Sequence, residues 1–221
     1  MQTHHRTFHA IHRIDFDPST FSPADLLWLP HHAQLAKSGK KRQAEHLAGR
    51  IAAVHALRAF GEKAVPGIGD RRQPLWPAGL YGSISHSGNT AVAIASTAPV
   101  GIDIEAIFTP HLADTLAHQV ATDSELAILR ACPQPFPLAL TLVFSAKESL
   151  YKALVEHHPT LAHFHDATFQ QLDEKSITLA VPALALTARL SWFAIEPHII
   201  LTLYTAINMT SNRKYRINNQ L

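Results

Sequence analysis

The sequence predicts an α+β fold on three observations. Residues 40–60 carry an apolar stripe at helical spacing, residues 82–96 read as a hairpin of two short strands, and the last part of the chain, 165–207, holds further strand-like runs. Helices and strands mix without a regular βαβ alternation, which disfavours a doubly wound sheet. Neither G-x-G-x-x-G nor G-x-x-x-x-G-K-[ST] occurs, so neither a dinucleotide fold nor a P-loop is indicated.

The helix over 40–60 rests on Leu47, Ile51 and Val54, spaced by 4 and 3, with Gly61 placed to end it. On another face Arg42, His46 and Arg50 recur every fourth residue, a line of basic-capable groups that could grip phosphate or simply meet solvent. PGIGDRRQP (66–74) reads as a loop from its glycines and prolines. GSISHS (82–87) and TAVAIAS (90–96) flank Gly88-Asn89, a pair that suits a hairpin turn. VGIDIEAI (100–107) alternates strictly, so Ile102 and Ile104 share one face and Asp103 and Glu105 the other. CPQPFP (132–137), with three prolines in six residues, reads as another loop. SAKESLYKALVEHH (145–158) reads as a helix with Leu150, Ala153 and Leu154 as its apolar positions and Pro159 just beyond. SITLAV, ARLSWFAI and IILTLY complete the strand-like runs, and the polar TSNRKYRINNQL (210–221) is expected to fray.

Composition narrows the function classes. With 47% hydrophobic and 16% charged residues the chain is a packed protein rather than a disordered one. Nineteen basic against seventeen acidic residues leave +2, without the excess a nucleic-acid coat needs. The single cysteine, Cys132, permits no intrachain disulfide and fits a reducing cytosol. Its proline-rich setting carries no nucleophile signature, so it reads as structural. MQTHHRTFHAIHRIDF has no continuous apolar segment, which predicts no signal peptide. No run reaches the roughly 18 apolar residues of a membrane span. A cytoplasmic protein is expected, with peripheral membrane attachment through a partner left open. Histidine is abundant, at 16, and HHPTLAHFHD (157–166) is dense in it, yet matches neither H-E-x-x-H nor a Cys/His zinc pattern. A solvated loop is the plain reading, and metal storage on His157, His158, His163 and His165 the sharper one.

The chemistry-bearing residues start with Asp103 and Glu105. Two strand positions apart, their Cα atoms lie about 6.8 Å from each other on one face. Two carboxylates so placed repel unless a cation sits between them, and Mg²⁺, an oxygen-seeking ion that keeps waters for a phosphate to displace, suits the role. The plain alternative is an edge strand with a polar outer face. Glu148 and Lys152 stand at i, i+4. The plain reading makes Ser145 and Glu148 a capping box and Glu148 and Lys152 a surface pair worth about 0.2–0.5 kcal/mol. The functional reading makes Glu148 a third metal ligand or a base and Lys152 a point charge on phosphate. His86 follows Ser85 near the end of a small-residue strand, where a ligand can approach and a ring nitrogen can donate to phosphate. No G-x-S-x-G nucleophile elbow occurs.

The order of these segments is more specific than any one of them. KRQAEHLAGRIAAVHAL, RRQPLWP, GSISHSG, VGIDIE and, forty residues on, FSAKESLYKAL resemble the motif series of the Sfp-type 4′-phosphopantetheinyl transferases. DLLWLPHHAQL and LALTLVFSAKES point to the enterobacterial siderophore branch. The resemblance covers residues 14–155 well and the last sixty only loosely. It implies two similar α+β halves related by a pseudo-twofold axis, dividing just before Gly101 into residues 1–100 and 101–221, with the site between them. It implies transfer of phosphopantetheine from coenzyme A to a serine of apo aryl or peptidyl carrier domains, with release of 3′,5′-ADP. The setting would be enterobactin-type siderophore synthesis, with a synthase complex as the wider partner. By the same resemblance Asp103, Glu105 and Glu148 match the Mg²⁺-binding acids, and Lys152 matches the last lysine of the (W/F)xxKExxxK motif. His86, with Ser85 beside it, matches the pyrophosphate-contacting histidine, and Arg42 and Arg50 match the arginines that meet the nucleotide and its 3′-phosphate. Where many relatives carry Gly-Lys-Pro this chain has Arg72-Gln73-Pro74; the resemblance implies that Arg72 and Gln73 meet coenzyme A, with the neutral Gln73 in place of a cation and Arg72 or Arg71 as the candidate source of the lost charge. Two other functions compete: a Mg²⁺-dependent phosphodiesterase, for which the chain lacks a basic excess and a lysine after Glu105, and a non-catalytic carrier-binding scaffold, which would not need the acids.

Overall fold

The computed structural model describes residues 1–161 and 163–206. The tail 210–221, expected to fray, lies outside the described residues. The chain opens with β1 (Gln2–Phe8) and β2 (Ile11–Asp17), a hairpin in the segment read only for its lack of a leader. Short 3-10 turns lead to α1 (Lys40–Arg58), which ends two residues before the expected limit, with Gly61 in the left-handed conformation just past it. The loop expected at 66–74 is pinched by two-residue strands, β3 (Gly67–Ile68) and β4 (Pro74–Leu75). The predicted hairpin is present as β5 (Tyr81–Ser87) and β6 (Thr90–Ser96), with Gly88 supplying the positive φ of its turn. These strands form an antiparallel sheet in the order β1-β2-β6-β5. Helix α1 packs across it on small residues, Ala44, Ala48, Ala52 and Ala53, which meet Ile14, Phe16, Ala91 and Ala93 in one core. Side chains this short let the helix lie close to the sheet.

β7 (Val100–Ala106) starts a second sheet. Three helices follow, α2 (Pro110–Val120), α3 (Asp123–Ala131) and α4 (Phe136–Leu154), then β8 (Thr168–Leu172), β9 (Ser176–Val181), β10 (Leu186–Glu196) and β11 (Ile199–Thr205). The order is β7-β11-β10-β9-β8, antiparallel throughout. Each sheet thus carries one 19-residue helix across its face.

Helix α4 corrects two expectations. It begins at Phe136, inside the stretch read as a proline loop, because Pro137 at its first turn needs no intrahelical donor partner. Ser145 therefore lies in mid-helix and caps nothing. Its hydroxyl and that of Ser149, one turn on, meet Thr202 Oγ1 at 2.9 and 2.8 Å, and Ser149 also donates to the Thr202 carbonyl. Thr202 on β11 stands opposite Asp103 on β7. This buried hydroxyl clamp sets the register of α4 over the acidic strand. The other side of α4 enters the largest core, where Leu140, Leu142, Val143 and Leu150 pack with Ile177, Leu179, Leu190 and Tyr204. Cys132 closes α3 partly buried against the same core, as a structural cysteine would.

β5 and β7 are the edge strands that meet between the sheets. Serine hydroxyls join them: Ser83 Oγ accepts from the Ile102 N–H at 3.0 Å, and Ser85 Oγ accepts from the Ile104 N–H at 3.3 Å. Small polar side chains thus satisfy an edge that would otherwise expose unpaired backbone groups. Beneath them a shared core of Ile11, Val92, Ile94, Ile102, Ile104 and Leu201 binds strands of both sheets. No helix among the described residues is long and apolar enough to cross a membrane.

Candidate active site

The junction of β5 and β7 opens into a cleft of about 430 Å³. Arg42, Arg50, Arg72, Ser85, His86, Asp103, Glu105, Glu148 and Lys152, all singled out from sequence, line it together with Glu45, His46 and Phe144. Gln73 does not. Its side-chain oxygen accepts the Arg71 N–H at 3.0 Å and its amide folds over Gly69, in the turn where Arg72 takes a left-handed φ of 64°. Gln73 lines a neighbouring pocket instead, and Arg72 and Lys152 border both.

Asp103 is the centre of the site. It is 3% exposed, on a strand that alternates apolar residues into the core behind it. Its Oδ1 accepts from Lys152 Nζ at 2.6 Å and from Ser85 Oγ at 2.8 Å, while its Oδ2 is buried with no hydrogen-bond partner. A buried carboxylate oxygen left unpaired is costly. Lys152 Nζ also donates to the Ile102 carbonyl and Ser85 Oγ, both at 3.3 Å. The lysine's partner is therefore Asp103 across the cleft, not the surface pair with Glu148 that i, i+4 spacing suggested. Helical spacing and the hydroxyl clamp bring both onto the cleft side of α4, one turn apart.

Two more carboxylates crowd the same floor. Burial, then the charge of Asp103 and with a smaller push from Glu148, raises the Glu105 carboxyl to about 7, against the relief that Lys152 offers. Burial, then Asp103, also raises Glu148, again opposed by Lys152. One ammonium does not balance three acids. An orphaned oxygen and two carboxyls held towards their neutral forms are a donor set short of a cation, and hard oxygen donors of this kind fit Mg²⁺. A raised acid favours the folded state while it is protonated, so its contribution is complete below its ordinary pKa of 4.5 and is lost as pH rises through about 7. Without divalent ions, the unfolding midpoint should therefore fall more between pH 5 and pH 8 in the natural protein than in Glu105→Gln. Added Mg²⁺ should remove the difference. Parallel profiles for the two proteins would show that Glu105 does not carry this strain.

The opposite wall is cationic. Arg50 is buried, donates to the Gly67 carbonyl at 2.9 Å and keeps its Nε without a partner. Burial, then Arg42, lowers it to about 10, still charged at neutral pH. Burial, then the Arg50 charge, drives His46 down to about 3, so it is a neutral ring shared with His31 across 2.9 Å. Arg42 has only donors, so at 2.8 Å it donates to His86 Nε2 and that ring accepts. Burial keeps His86 below its ordinary range, with Glu45 pulling the other way. Glu45 is the residue that sequence reasoning missed, 3.9 Å from His86 Nε2 and 4.0 Å from Arg42. Its only sequence signal was i, i+3 spacing from Arg42 on the helix already assigned. Lys147, the neighbour of Glu148, points the other way, into a buried pair with Glu125 at 2.8 Å and onto the Val120 carbonyl.

An acidic floor and an arginine wall, brought together from α1, β7 and α4, could take a polyanion and a divalent cation. Two families match the chain. The 4′-phosphopantetheinyl transferase N-terminal domain matches residues 31–96, and the 4′-phosphopantetheinyl transferase superfamily matches residues 99–203. The chain belongs to the 4′-phosphopantetheinyl transferases and is an enzyme of that class. Within it the chain is 53% identical to enterobactin synthase component D of Salmonella typhi over 205 residues, 90% of this chain and 87% of that protein. It is 57% identical to enterobactin synthase component D of Escherichia coli over 145 residues, 66% of this chain and 70% of that one. The 4′-phosphopantetheinyl transferase PptT of Mycobacterium tuberculosis is 36% identical over 141 residues, 59% of this chain and 60% of that one.

Proposed function

We propose that this enzyme moves 4′-phosphopantetheine from coenzyme A to a serine of apo aryl or peptidyl carrier domains in enterobactin-type siderophore synthesis, in a site built by the halves 1–100 and 101–221. The observation that carries this reading is the gathering of Asp103, whose Oδ2 has no hydrogen-bond partner, with Arg42 and Arg50 in one cleft. Asp103, Glu105 and Glu148 would hold Mg²⁺. That ion would neutralise charge on the pyrophosphate and favour cleavage of the link between its two phosphates.

The chain's own residues do the rest by position and charge. Arg50 and Arg42 meet the nucleotide and its 3′-phosphate, and Arg72 supplies the cation that Gln73 lacks. A phosphate oxygen reaching Arg42 takes that donor from His86, freeing the imidazole Nε2 to carry a proton and donate to the pyrophosphate. Lys152 holds Asp103 on one side and the leaving oxygens on the other. Ser85 is fully used in fixing Asp103 and Ile104, so its role is positioning beside bound coenzyme A. The carrier serine oxygen bonds to the phosphorus of the phosphopantetheine group while the bond to the nucleotide phosphate breaks. The hydroxyl proton passes to the Glu148 carboxylate, and 3′,5′-ADP leaves with the electron pair.

Intact mass of an apo aryl carrier domain after incubation with the enzyme, coenzyme A and Mg²⁺ tests the reading. One added phosphopantetheine, abolished by EDTA, is expected. Loading of a fatty-acid carrier but not the aryl carrier would keep the chemistry and overturn the siderophore assignment. Loading of no carrier would overturn both.

A further inference from the structure

We propose that His5, His12 and His55 form a binding site for one divalent transition-metal ion of the zinc class, separate from the catalytic cleft. The three residues come from β1, β2 and the last turns of α1. In the hairpin register His5 stands opposite Ile14 and His12 opposite Thr7, so the two histidines are diagonal neighbours on one face. Ile14 on that face enters the core beneath α1, which directs the same face towards His55.

Among the described residues this is the group whose ligand atoms come close enough to share an ion: one atom from each of the three lies within 4.8 Å of the others. His5 Nε2 and His12 Nδ1 are 3.0 Å apart, and the His55 ring lies over His5 with centroids 3.8 Å apart. Imidazole nitrogens at about 2.0–2.1 Å from Zn²⁺ in a tetrahedron stand roughly 3.4 Å from one another. The three rings stack within 2–11° of parallel, so binding an ion requires them to turn about their Cβ–Cγ bonds until their in-plane lone pairs converge. His12 and His55 are half-buried while His5 is exposed, which leaves the fourth position open to water. Burial is the first cause holding all three rings below their ordinary pKa, so they are neutral ligands at physiological pH. Arg58, one turn past His55, is the nearby cation that opposes a bound ion and limits its affinity.

None of the three lines the catalytic cleft. The segment 157–166, which the sequence offered for metal storage, assembles no such group among its described residues. A shared ion would tie the first hairpin to the end of α1, a clip across the N-terminal sheet and its helix.

Zn²⁺ titration of the full, metal-free chain in excess Mg²⁺ tests the site, with a chromogenic chelator as competitor and dialysis for stoichiometry. One Zn²⁺ per chain is expected, with a raised unfolding midpoint. Loss of even an outer partner of a metal ligand costs about 10–100-fold in affinity, so His55→Phe and His5→Gln should each weaken Zn²⁺ at least about tenfold. Neither should change carrier loading in Mg²⁺, which also shows that both variants are folded. The fourfold variant His157→Gln, His158→Gln, His163→Gln and His165→Gln should bind as the natural protein does. Absence of stoichiometric binding, undiminished affinity in both triad variants, or loss of binding in the fourfold variant would each overturn the proposal.

Discussion

Asp103→Ala should lower carrier loading at least about a hundredfold at saturating Mg²⁺. The physical case is the division of labour between its two oxygens. Oδ1 is consumed by Lys152 and Ser85, so the side chain is locked, and Oδ2 is left buried without a hydrogen-bond partner. Removing the carboxylate removes the anchor of the acidic floor and frees Lys152 from its place. The fold should survive, because Lys152 is partly exposed and keeps the Ile102 carbonyl as a partner. Asp103→Asn separates the two roles. It retains an oxygen for Lys152 and Ser85 but not the charge, and the same large loss is expected. Loading rates by intact mass, with circular-dichroism melting as the fold control, decide it. Turnover near normal in Asp103→Ala would remove Asp103 from the site.

Gly101→Ala should be among the most destabilising single changes in the chain. A Cβ at Gly101 would stand 1.8 Å from the Ser149 carbonyl oxygen, 2.8 Å from its carbon and 3.1 Å from the Ala153 nitrogen. All three are backbone atoms of α4, so no side chain can swing aside. Overpacking a core typically costs about 1–3 kcal/mol, and a clash with helix backbone belongs at or above the top of that range. For a chain of this size each kcal/mol is worth about 2–4 °C of melting temperature, so a loss of roughly 10 °C is expected. Activity should fall further than stability does, because the contact that fails is the one that seats Glu148 and Lys152 against the Asp103 strand. A melting temperature within about 2 °C of the natural protein would show that α4 can lift without penalty.

Much of this was legible in the sequence, for reasons that differ by element. The β5–β6 hairpin and the facing of Asp103 and Glu105 follow from period-two alternation and a Gly-Asn turn, which act over neighbouring residues. Helix α1 follows from its apolar spacing. The start of α4 was missed because proline signals a loop in a local reading, although it is equally at home in a helix's first turn. The capping box at Ser145 and the Glu148–Lys152 pair were local patterns overruled by tertiary partners: Thr202 takes the serine and Asp103 takes the lysine. Gln73, read as a coenzyme A contact, folds back on the turn at Gly69 and borders the neighbouring pocket, a placement that its position beside Arg72 did not reveal.

The sequence by itself determined the class of fold, the family and the acids, arginines and histidine found lining the cleft. These depend on residue type and spacing along one chain. Only the tertiary structure decided which groups meet. The pairing of two sheet edges through Ser83 and Ser85, the unpaired Asp103 oxygen, the entry of Glu45 into the cleft and the gathering of His5, His12 and His55 all join residues far apart in sequence. Such contacts are selected by burial and packing of the whole chain, and a local pattern carries no information about them.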